Sequence, residues 1–176
     1  LLKDGDTSPL YIFYDENQNV YTRASSFPAD AAPITLTINC RNTIQIHQAA
    51  YRYYSGASVE APSLAGDDVQ ILDAPNVERQ AMKIYQLVTR LLTTEKVPAS
   101  SIVILIADRI HRRTYQEALD HFTLPAGHFW DSVDNRADGC VTVETVARFK
   151  GLEGGVLILW GLEGIPKEER RETLYV

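Results

Sequence analysis

The chain predicts an α/β fold, a mainly parallel sheet flanked by helices, on three observations. Residues 102–107 (IVILIA), 141–145 (VTVET) and 156–160 (VLILW) are short β-branched runs, nearly continuous in hydrophobicity. Strands buried on both faces of a parallel sheet read this way. Residues 77–94 carry Val77, Ala81, Ile84, Tyr85, Val88, Leu91 and Leu92 at helical spacing, an amphipathic helix set between strands. Polar side chains, Gln18, Arg41, Arg109 and Glu153, come soon after apolar runs. Parallel sheets gather ligands at the carboxyl ends of their strands, so these four are expected on one rim.

Bulk composition narrows the class. With 176 residues, 45% hydrophobic and 23% charged, residues 1–176 form one domain with room for a real core. A formal charge of -6 argues against a protein that coats nucleic acid through dense Lys and Arg, though not against a local basic surface. No apolar run reaches the roughly 20 residues of a membrane span, and LLKDGDTSPL is no signal peptide, so a cytoplasmic protein without a membrane partner is expected. Cys40 and Cys140 lie far apart and near no histidine cluster, which predicts reduced thiols and no metal site. Met82 is the only methionine and the last residues stop in an apolar run, so the chain is expected to be a piece excised from a longer protein.

In chain order, LYIFY at 10–14 predicts a strand that 15–19 ends with turn formers. ITLTI at 34–38 predicts a second, and Asn42 or Thr43 caps a helix to about Tyr54. Residues 55–75 are loop-like around one short strand, 69–72. The amphipathic helix at 77–94 ends before Pro98, strand 102–107 follows, and Asp108-Arg109-Ile110-His111-Arg112-Arg113 leads into a helix to about Phe122. Three arginines at a helix start form either a solvated face or a phosphate contact. Residues 123–139 read as irregular. Strands 141–145 and 156–160 then bracket the loop Arg148-Phe149-Lys150-Gly151-Leu152-Glu153-Gly154-Gly155.

That loop, in TVARFKGLE at 145–153, resembles motif V of the UvrD/Rep-like superfamily 1 helicases, roughly T-x-H-x-x-K-G-L-E, with Ala147 in place of the histidine. Other stretches are similar to further motifs in the family's order. YDENQNVY at 14–21 resembles motif III, with Tyr14 replacing glycine; LTINCRNT at 36–43 resembles motif IV, with Cys40 replacing an aromatic; LYV at 174–176 resembles the start of motif VI. Residues 102–109 resemble the strand between motifs IV and V. The resemblance covers nearly the whole chain and implies a RecA-like domain of the P-loop NTPase type, the second motor domain of an ATP-dependent DNA helicase.

The resemblance also implies roles. Gln18 senses the γ-phosphate and Arg41 contacts it across an interdomain cleft, a contact suited to the bidentate fork of arginine. Glu153 hydrogen-bonds the ribose, and Tyr21, Arg109 and Thr145 contact DNA. There is no Walker A loop and no Gly-Lys dipeptide. ATP with Mg2+ would therefore be bound mainly by an N-terminal RecA-like domain of the same polypeptide, and this chain alone would not hydrolyse it. Single-stranded or partly duplex DNA is the other implied partner. Two alternatives stay open: a catalytically inert helicase-like interaction module, and an unrelated nucleotide-binding α/β domain such as a small-molecule transferase.

Overall fold

The stripe at 77–94 folds as a helix, numbered α2 because α1 (Ile44–Tyr51) precedes it. The computed structural model describes residues 34, 37–38, 41–54, 58–135 and 137–175. Helix α2, Val77–Thr93, starts where the Asn76 side chain accepts a hydrogen bond from Arg79 N at 2.9 Å, and it buries Ala81, Ile84, Val88, Leu91 and Leu92. It ends as Lys96 enters the left-handed region at φ 56, letting Val97 N donate to Leu91 O at 2.9 Å. Helix α1 begins with Thr43 accepting from Ile46 N.

After Pro98 the chain enters β1, Ile102–Ile106, buried throughout. Asp108, at the end of that strand, is itself buried and bends the chain: one carboxylate oxygen accepts from His111 N at 3.1 Å, and the other meets His111 Nδ1 at 2.8 Å. Helix α3, Arg112–Asp120, follows, then β2, Phe129–Asp131, and β3, Cys140–Thr145. The one-turn helix α4, Val146–Phe149, carries the chain towards β4, Val156–Trp160, and α5, Arg170–Tyr175, comes last.

The four strands form an all-parallel sheet in the order β2-β3-β1-β4. Helices flank it, the α/β architecture expected, consistent with a RecA-like fold. Alternation along β1 splits its side chains between two cores. Ile102, Ile104 and Ile106 join Val141, Val143 and Trp160 beneath α2 and α3, while Val103, Leu105 and Ala107 pack with Val146, Phe149 and Ile165. Full burial of one such aliphatic side chain stabilises by about 1.5–3 kcal/mol, so β1 anchors both layers. Tyr115 of α3 stands edge-on to Trp160, ring centroids 4.8 Å apart, and the Trp160 indole N–H donates to Gln80 Oε1 of α2 at 2.7 Å. Together they fix the carboxyl end of β4 against both helices.

Three expectations change. The run at 156–160 is buried on one face only, since Leu157 and Leu159 are 48% and 45% exposed on what is, among the described residues, an edge strand. Residues 69–72 form no strand; Val69, Ile71 and Leu72 are exposed. The stretch 123–139, read as irregular, contains β2, held by the Trp130 indole N–H donating to Phe122 O at 2.8 Å. The strand expected at 10–14 lies outside the described residues, as does most of that at 34–38, where Ile38 makes an isolated parallel bridge to Glu60. No helix among the described residues is long and apolar enough to cross a membrane.

Candidate functional site

The carboxyl ends of β1 and β3 lie side by side, Ile106 in register with Thr145, and a cleft of about 70 Å3 opens above them. Ile106, Ala107, Arg109, Thr145, Val146, Ala147, Glu169 and Thr173 line it. Arg109 reaches it because the Asp108 turn sends the chain sideways, and its Nη2 donates to Glu169 Oε1 at 2.9 Å. Both partners are substantially exposed, so the pair is held weakly. Thr145 is nearly buried; its N–H donates to Glu144 Oε1 at 2.9 Å and its hydroxyl lies 3.4 Å from the same oxygen.

A second depression, about 320 Å3 and open to solvent, sits at the opposite end of the sheet. Ser100 and Ser101, just before β1, face Glu153, Gly154 and Gly155, just before β4. The two segments touch so closely that a Cβ on Gly154 would lie 2.7 Å from Val103 Cγ2, which restricts that position to glycine. Beside this floor the Arg41 guanidinium pairs with the Glu153 carboxylate across 112 positions of sequence. Both side chains are about two-thirds exposed, at 67% and 71%. An arginine and a carboxylate open to water over a glycine floor can offer a ligand both a phosphate contact and a hydroxyl acceptor.

At the carboxyl-end rim a network fixes the β3–α4 junction. Glu144, 2% exposed, accepts from Arg148 Nη1 at 2.9 Å, and Arg148 Nη2 donates to Asp134 at 2.7 Å. The hydrogen bond to Asp134 and the nearby Glu144 charge raise the Arg148 pKa further above its ordinary value. Across the sheet, burial pushes the Tyr115 hydroxyl up to about 12, helped by the negative charges of Glu163 and Asp108 and a hydrogen bond to Asp108.

The expected residues thus fall into two groups. Arg41 and Glu153 come together, and Arg109 and Thr145 come together, but not on one rim: Glu153 sits at the amino ends of β1 and β4, Arg109 at the carboxyl end of β1. The correction has a simple cause. Residues 146–155 are the crossover that returns the chain from the end of β3 to the start of β4, so Glu153 belongs to the strand it precedes. Gln18 and Tyr21 lie outside the described residues. Arg113 pairs with Glu117 one turn along α3 and points to solvent, the solvated-face alternative for that arginine. Glu169 and the Asp108–His111 turn were not legible as site components. Glu169 is 60 positions from Arg109, and nothing local in 166–172 signals a partner. Cys140 is buried, and no metal-binding cluster occurs among the described residues. No protein-family model matches the chain, and no curated protein or solved structure matches it.

Proposed function

We propose that this chain is the second motor domain of an ATP-dependent DNA helicase or translocase of the UvrD/Rep-like kind. In this reading it completes an ATP site across a cleft with a P-loop domain and contacts single-stranded DNA. The observation that carries it is the Arg41–Glu153 pair. Two residues 112 positions apart, which the motif resemblance assigns to one nucleotide, pair with each other, and one of them, Glu153, lines an open depression. Half of a shared site should be open and should hold its charged groups by weak, exchangeable contacts, and an ion pair this exposed is of that sort.

In this mechanism ATP with Mg2+ would be held mainly by the P-loop domain, where the metal would supply neutralising charge for the phosphates. Arg41 leaves Glu153 and forks onto the γ-phosphate, while Glu153, freed, accepts from the ribose hydroxyls. Sensing of the γ-phosphate by Gln18 and a DNA contact by Tyr21 are the roles that the motif resemblance implies for them. Closure brings the cleft of Arg109 and Thr145 onto the DNA backbone, and reopening after hydrolysis releases it, which steps the pair along the strand. Cytoplasmic location belongs to the same proposal.

DNA-stimulated ATPase activity of the polypeptide joining this chain to its P-loop domain tests the reading. Arg41→Ala is expected to lower turnover at least ~10-fold with folding intact, a loss of about 1.4 kcal/mol. Wild-type turnover that Arg41→Ala leaves unchanged would remove Arg41 from the site. Ala147 favours a second reading: it lines the cleft without a polar group where the motif carries histidine. A wild-type polypeptide with no ATPase would make the chain an inert interaction module instead.

A further inference from the structure

The carboxyl-end cleft already contains an anion of its own. Glu169 Oε1 sits 2.9 Å from Arg109 Nη2, and both residues line the same cleft as Thr145 and Thr173. Among the described residues that line it, Arg109 is the only cation and Glu169 the only anion, so the cleft is close to neutral as it stands. The Glu169 backbone is held: its N–H donates to Pro166 O at 3.0 Å and its carbonyl accepts from Thr173 N at 3.0 Å. The carboxylate is therefore presented to Arg109 from an anchored position and needs only a side-chain rotation to leave. Arg109 is equally fixed at its root, because Asp108 is buried and bound twice by His111.

We infer that Glu169 sets which anions this cleft accepts, acting as a resident counter-ion on Arg109 that a polynucleotide displaces and a lone phosphate does not. The inference rests on the DNA-contacting reading of the cleft given above. Displacing the carboxylate costs one exposed ion pair, worth little by itself but comparable with what a single phosphate gains at one arginine. A single-stranded polynucleotide brings several phosphates at once. Its neighbouring contacts hold it nearby while one phosphate replaces the carboxylate, an advantage of effective concentration. Glu169 thus lowers affinity for every anion, and most severely for small ones. With the chain's net charge of -6 it also keeps loose contacts with nucleic acid weak.

Fluorescence anisotropy of a labelled oligo(dT) of about 15 nucleotides, titrated with the 176-residue chain, tests this. Glu169→Gln is expected to tighten binding about 3-fold to 5-fold, the range of an exposed ion pair. Inorganic phosphate, compared with chloride at equal ionic strength, should compete for oligo(dT) with Glu169→Gln and not with the wild type. Glu168→Gln, an equal charge change at an exposed neighbour outside the cleft, separates the contact from net charge. In an Arg109→Ala background the Glu169→Gln gain should vanish.

If Glu168→Gln tightens binding as much as Glu169→Gln, or if the gain survives Arg109→Ala, the inference is wrong while the DNA reading stands. If no variant binds oligo(dT), Glu169→Gln included, the DNA reading of the cleft falls and takes the inference with it.

Discussion

Glu144, 2% exposed, meets Arg148 Nη1 at 2.9 Å one turn further along the chain, and this contact is what lets a carboxylate lie in the second core layer. Its other oxygen takes the Thr145 N–H. Removing the arginine leaves a buried charge with half its partners, which costs far more than an exposed pair. Arg148→Met, which keeps the aliphatic stem, should lower the thermal midpoint by about 5 °C or more. Glu144→Gln should cost less, and combining the two should recover much of the loss, a cycle readable by circular dichroism melting.

Thr142, on the same face of β3, is 0% exposed, and its hydroxyl has no hydrogen-bond partner. A buried hydroxyl without a partner costs roughly 1–3 kcal/mol relative to an apolar group of the same shape. Thr142→Val should therefore raise stability by about 1 kcal/mol, or about 2–4 °C for a domain of this size. A denaturant midpoint that moves up with an unchanged slope would show a pure stability gain.

Local signals were legible and long-range ones were not. Helix α2 and strand β1 follow from periodicity within their own residues, and Pro98 and Asn42-Thr43 mark boundaries through ring and capping chemistry that need no partner. Whether Leu157 and Leu159 are covered depends on what lies beside β4, and hydrophobicity alone does not say whether a strand is at an edge. Strand β2 is three residues, an exposed Phe129 and the partly buried Trp130 and Asp131, too short to show a period. The meeting of Arg41 with Glu153, and of Arg109 with Glu169, is set by the strand order. Spacing could point to each of the first three residues as polar and close to an apolar run, but not to its partner or its rim.

Tyr115 should make the fold sensitive to alkali. Its hydroxyl is held up at about 12 against an ordinary 10, so the folded state keeps the proton that the unfolded state releases. That contribution is fully present below pH 10 and is lost as pH rises from 10 towards about 12. Spectrophotometric titration should show one tyrosinate forming late, and Tyr115→Phe should remove it. The variant's stability should also fall less steeply across that window. A tyrosinate spectrum unchanged by Tyr115→Phe would contradict the assignment.

Gly164 is required by packing rather than by backbone conformation. A Cβ there would lie 2.2 Å from Asp108 Oδ2 and 2.5 Å from Asp108 Cγ. Asp108 cannot give way cheaply, because it is buried and its two oxygens are committed to His111 N and Nδ1. Gly164→Ala must therefore push the loop off the end of β1 or break the turn that roots Arg109. The expected cost is about 1–3 kcal/mol, the range for overpacking a tight site. Gly127→Ala provides the contrast: its φ of 88 makes any side chain strained, but nothing lies within 4 Å of the added carbon. That variant should lose only about 1–2 kcal/mol of backbone energy. It should also leave oligo(dT) binding unchanged, whereas Gly164→Ala should weaken it in a chain that still folds, because the Asp108 turn fixes the root of Arg109. Chemical denaturation of both variants, followed by the anisotropy titration on each, separates a general loss of stability from a local loss of the cleft. Equal binding by both would mean that the Asp108 turn does not position Arg109.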